Sequence, residues 1–258
     1  MSPDRGQVRK FGRRLRYRAG GMVRHLCAAL LLLACAAEPA LAGDELVTSA
    51  HTTGGETIPY ILTSKPGTPA YAVILMPGGP GRVSPRMMDG KLVFSGGGNF
   101  LIRSRELFAD GRFVAVSTDA TSTPDRMLAI IRDLQARYGQ IAIYIIGTSR
   151  STEATMALAK SFDGWVAGFV HSSSMSAIAD FDPRGLRSRH LIVLHVQDAC
   201  RVTSPSAGAS SHRKYGTELI EMNGGISTGN DCEASAHHGY NGIEQATVDK
   251  IKAWIANR

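Results

Sequence analysis

Three observations predict a doubly wound, mostly parallel α/β sheet in a single domain. Short continuous runs of β-branched and apolar residues recur between positions 71 and 196, as strands covered on both faces require. Segments with apolar residues at helical spacing lie between several of these runs. Strand–helix alternation winds into a parallel sheet and puts chemistry in loops at the carboxyl ends of the strands.

The elements follow in order. Residues 71–76 (Tyr-Ala-Val-Ile-Leu-Met) read as a buried strand, ended by Pro77-Gly78-Gly79-Pro80-Gly81. Residues 100–109 read as a helix and 113–117 as a second strand. A helix over 125–138 carries Met127, Ile130, Ile131 and Leu134 on one face, with Thr123-Pro124-Asp125 as its start. Strands are predicted at 141–146, 166–170 and 191–196, with 217–222 as the last. A closing helix over about 242–257 presents Ile243, Val248, Ile251, Trp254 and Ile255. Fewer than twenty residues separate Val170 from His190, which leaves no room for a large cap. Residues 82–99 are the expected local cover of an open site.

Composition excludes several classes. With 43% hydrophobic and 20% charged residues, the chain is neither disordered, collagenous nor a coiled coil. The net charge of +7 suggests a polyanion partner, but eight of the 29 Lys and Arg lie in residues 1–42. Residues 43–258 hold 21 basic and 20 acidic side chains, so no nucleic-acid partner is expected.

Residues 1–42 read as an export signal. A basic lead precedes an apolar run over 25–37, too short to span a bilayer, and Ala40-Leu41-Ala42 supplies small residues for cleavage before Gly43. The long lead is explained if translation starts at Met22; a lipobox ending at Cys35 is the lesser alternative. No further apolar run long enough to span a membrane occurs, and the mature protein is expected in the periplasm or secreted. Its two cysteines, Cys200 and Cys232, are expected to form a disulfide in that oxidising compartment.

The chemistry starts at Gly147-Thr148-Ser149-Arg150-Ser151, set between the 141–146 strand and a helix-forming stretch. That context is what a G-x-S-x-G elbow requires, with Ser149 lifted above the sheet edge as nucleophile and Ser151 in place of the second glycine. Attack on an acyl carbon puts negative charge on the carbonyl oxygen, which aimed backbone N–H groups stabilise. The amides of Arg150 and Gly79 are the expected donors, since Pro80 cannot donate. The Arg150 side chain is read as solvated.

These motifs resemble those of α/β-hydrolase-fold serine hydrolases of esterase-like type. Pro77-Gly78-Gly79-Pro80-Gly81 is similar to the His-Gly-Gly-Pro-Gly oxyanion loop of several branches, proline iminopeptidases among them, with Pro77 replacing His. The resemblance covers residues 57–258. It implies the chain order Ser, then Asp or Glu, then His. Asp198 follows the 191–196 strand and is the expected acid. Ala236-His237-His238-Gly239-Tyr240 is the expected base loop, with His238 as base and His237 as fallback. Asp119 precedes the serine and is kept for anchoring a loop or touching substrate. His51, His171, His190, His195 and His212 are read as structural.

Cys232, His237 and His238 lack the paired spacing of a zinc site, and no dinucleotide or P-loop fingerprint occurs, so no metal or cofactor is expected. The implied function is ester hydrolysis of a small molecule by a Ser149–His238–Asp198 triad through an acyl-enzyme. Two alternatives are amide cleavage of iminopeptidase type and a non-catalytic binding protein on a degenerate hydrolase fold, the latter motivated by Ser151 and Pro77.

Overall fold

The apolar runs form the middle of an eight-stranded sheet in a computed structural model that describes residues 44–257. The leader, Met22, Cys35 and the Ala40-Leu41-Ala42 site lie outside the described residues. In chain order the elements are β1 (Asp44–His51), β2 (Thr57–Ser64), β3 (Tyr71–Met76), the small hairpin β4 (Arg86–Met88) and β5 (Lys91–Val93), α1 (Phe100–Arg103), α2 (Arg105–Phe108) and β6 (Phe113–Ser117). There follow α3 (Pro124–Tyr138), β7 (Ala142–Thr148), α4 (Ser151–Ser161), β8 (Gly168–Ser172), β9 (Arg189–His195), α5 (Pro205–Tyr215), β10 (Glu218–Met222) and α6 (Glu244–Ala256).

The strand order is β1-β2-β6-β3-β7-β8-β9-β10. From β6 to β10 every neighbour runs parallel, whereas β1 and β2 pair antiparallel at one edge. Both faces of the sheet are covered. On one, Met127, Ile130, Ile131 and Leu134 of α3 and Leu158 of α4 pack on Ile74, Val116 and Ile145. On the other, Phe100, Phe108, Val248, Ile251 and Ile255 pack on Leu75, Ile146 and Val193. The all-buried β3 and β6 explain why those runs carry no polar alternation.

Several expectations need correction. The predicted 100–109 helix is two one-turn helices that meet at Ser104, whose buried hydroxyl has no partner among the described residues. The 166–170 strand starts later, at Gly168. The antiparallel β1–β2 edge and α5 are absent from the sequence reading, since their polar residues blur the periodicity. Between β8 and β9 only a short 3₁₀ turn, Ser176–Asp180, intervenes, which agrees with an uncapped fold.

Candidate active site

The turn after β7 is built to expose one hydroxyl. Thr148 is in register with Ser172, and Ser149 follows at φ +54°, a conformation costly for any residue with a Cβ. It is held there by its own N–H, which donates to Ser172 O at 3.0 Å, and by its carbonyl, which accepts from the Thr152 hydroxyl at 2.6 Å. Gly147 must be glycine: a Cβ there would sit 2.7 Å from Ser151 O. Ser151 is no defect. Its buried hydroxyl donates toward Met76 O at 2.7 Å and accepts from Thr148 N–H at 2.8 Å, tying the elbow to the end of β3.

The Pro-Gly loop after β3 lies against this turn. A Cβ on Gly78 would come within 2.8 Å of Ser149 Cβ and 2.9 Å of Thr148 O, so this glycine permits the close approach. Gly79 takes φ +62°. Among the described residues, the Gly79 and Arg150 N–H groups donate to no protein acceptor. Asp119 anchors the loop: its Oδ1 accepts the Val83 and Ser84 N–H groups at 2.6 and 2.8 Å.

Asp198 and His238 meet although 40 residues separate them, with His238 Nδ1 2.9 Å from Asp198 Oδ2. The His238 and Asp198 side chains are only 7% and 1% exposed, so the pair is shielded from water. The other carboxylate oxygen accepts Cys200 N–H at 2.9 Å. Ser149 and His238 line one cavity of about 390 Å³ together with Gly78, Gly79, Phe100 and Cys232. His237 turns elsewhere and stacks on His195, ring centroids 4.5 Å apart. His195 accepts Gln197 N–H at Nδ1 and reaches Gly224 O from Nε2; burial holds its pKa below the usual imidazole value. The Arg150 side chain is exposed beside Glu153, along a second depression.

No protein-family model and no curated protein sequence matches this chain. Solved structures do. An esterase from an Arctic intertidal metagenomic library matches 84% of this chain and 96% of its own at 15% identity and TM-score 0.57. A dienelactone hydrolase from Anabaena variabilis matches 83% and 97% at 11% identity and TM-score 0.60. A serine hydrolase without lid from Xanthomonas campestris matches 81% and 95% at 10% identity and TM-score 0.52. The fold is that of the α/β hydrolases.

Within this α/β-hydrolase fold, four supporting residues were not legible in the sequence. Ser173, at φ +40°, donates from Oγ to His238 O at 2.7 Å, and its N–H donates to Tyr240 Oη at 3.0 Å. Tyr240 in turn donates to Val193 O at 2.8 Å, and burial pushes its phenol well above the usual value. Arg103 bolts the His238 loop to α6: its guanidinium donates to Ala234 O, Gly239 O and Glu244 Oε1 at 3.1, 2.7 and 2.8 Å, and to Gly98 O at 2.6 Å. Thr203 is the fourth, with its hydroxyl 3.1 Å from both Asp198 Oδ2 and His238 Nδ1. The Cys200–Cys232 disulfide joins the Asp198 loop to the cavity wall. Gly96, at φ +72°, also lines that wall.

Proposed function

We propose that this chain is an exported serine hydrolase that cleaves a carboxylic ester of a small molecule. The observation that carries the reading is the strained, half-buried Ser149 sharing one cavity with a His238 whose Nδ1 is bonded to the buried Asp198. In this reading Ser149 Oγ attacks the acyl carbon while His238 Nε2 takes its proton. Asp198 keeps the imidazole in the tautomer with hydrogen on Nδ1 and stabilises the imidazolium that forms. The Gly79 and Arg150 N–H groups receive the oxyanion. His238 then returns the proton to the departing alkoxide, and water repeats the cycle to release the acid from the acyl-enzyme.

The cavity, at about 390 Å³, is near the lower end of small-molecule sites and suits a short acyl or aryl group. The disulfide supports an oxidising destination, with residues 1–42 removed as a signal. No helix among the described residues is long and apolar enough to cross a membrane. Fluorophosphonate labelling tests the reading. Wild type is expected to label and Ser149→Ala to resist; failure of wild type to label would overturn it in favour of a binding protein. Parallel assays on p-nitrophenyl acetate, p-nitrophenyl decanoate and an aminoacyl anilide are expected to rank in that order, and faster anilide cleavage would replace esterase by amidase. Mass spectrometry of the secreted protein's N-terminus, expected at Gly43, tests export.

A further inference from the structure

The Thr203 hydroxyl sits at the junction of the acid and the base, and nothing in the triad scheme above uses it. Thr203 is 2% exposed, and its Oγ1 lies 3.1 Å from Asp198 Oδ2, 3.1 Å from His238 Nδ1 and 3.4 Å from Cys200 O. The direction of its proton follows from chemistry. Nδ1 is 2.9 Å from a carboxylate oxygen and therefore carries hydrogen, so it cannot accept from the threonine. Of the two remaining acceptors, Oδ2 is closer and charged. The hydroxyl donates there.

Resting on the hydrolase reading, we propose that Thr203 is a positioning residue of the same site, acting on substrate only through Asp198 and His238. Its donation fixes the rotation of the Asp198 carboxyl group. Oδ1 is bonded to Cys200 N–H at 2.9 Å, and Oδ2 takes both the imidazole N–H and the threonine O–H. Three donors around a buried carboxylate leave it one orientation, with Oδ2 facing Nδ1. Without the hydroxyl, Oδ2 depends on His238 alone, and the imidazole loses the rigid partner that aims Nε2 at Ser149. The backbone of Thr203 is held independently, by its N–H to Cys200 O at 3.1 Å, so the side chain is free for this task.

The test is Thr203→Val, which keeps the side-chain shape and removes the hydroxyl, paired with Thr203→Ser, which restores the hydroxyl and removes the methyl. For p-nitrophenyl acetate, Thr203→Val is expected to lower kcat about ten-fold with KM unchanged, the effect of one hydrogen bond to a charged group felt in the transition state. Thr203→Ser is expected to recover most of that loss. The far-downfield proton resonance of His238 Nδ1–H is expected to survive in Thr203→Ser and to broaden or vanish in Thr203→Val. A Thr203→Val enzyme with wild-type kcat, or a serine variant as impaired as valine, would overturn the proposal. Fluorophosphonate labelling of wild type at Ser149 separates this outcome from failure of the hydrolase reading: labelling with normal Thr203→Val kinetics removes Thr203 alone, and absent labelling removes both.

Discussion

Replacing both Cys200 and Cys232 with alanine removes a covalent link that closes a 32-residue loop. In the chain-entropy account, a closed loop of this length restricts the unfolded chain by about 12 cal/mol/K, or about 3.7 kcal/mol at 25 °C. For a folded unit of about 215 residues the entropy of unfolding near the midpoint is about 0.45 kcal/mol/K, so the expected fall in Tm is about 8 °C. A second effect is local. Cys200 N–H is the donor to Asp198 Oδ1, and Cys232 lines the cavity that holds Ser149. Freeing the two segments therefore loosens Asp198 as well as the cavity wall. Circular dichroism melts of wild type and the double variant measure the first effect, and p-nitrophenyl acetate kinetics at a temperature below both midpoints measure the second. A Tm shift under roughly 2 °C would refute the entropic reasoning. An unchanged kcat would refute the claim that the bridge orders the acid loop.

Ser151→Ala leaves Met76 O and Thr148 N–H without their buried partner, so urea unfolding is expected to report a loss of about 1–3 kcal/mol. A neutral result would mean that the serine merely replaces glycine. Gly78→Ala drives a methyl to 2.8 Å from Ser149 Cβ, and if Ser149 is the proposed nucleophile, kcat/KM is expected to fall about 100-fold as it is displaced. The His171–His190 pair, away from the cavity, predicts acid sensitivity. Burial lowers His190 to about 4 from 6.5 and holds His171 well below its usual value. Between those pH values the unfolded chain binds protons that the folded protein refuses, so stability is complete above about pH 6.5 and falls as pH drops. Urea titrations at pH 7.5 and 4.5 are expected to show a smaller loss of stability in His190→Leu than in wild type. An equal difference in both would assign the loss to other groups.

Where a signal is local, the chain carried it openly. The buried strands β3, β6, β7 and β9 are runs of apolar residues because both of their faces are covered, and α3 shows its core face at helical spacing. Gly147 marks the turn because backbone crowding within a few residues demands glycine there, and Ser149 stands two residues on at φ +54°. The loop after β3 was legible for the same reason, since glycine and proline speak for conformation at their own positions. Ser151 is small enough to stand for the second glycine but weakens the motif, and only its bond to Met76 O, 75 residues away, reveals its use.

Tertiary structure decided everything that depends on residues distant in sequence. Adjacent histidines are equivalent as letters, and His238 differs from His237 because packing turns one toward Asp198 and the other onto His195. Arg103 and Gly239 are 136 residues apart, Thr203 and His238 35, and no periodicity or motif links either pair. Such partners are selected by the geometry of the closed sheet, where a buried donor must find an acceptor after the backbone is in place. Composition and spacing therefore determined the central strands and the tight turn after β7. The side chains that hold those loops in register were settled only by three-dimensional contact.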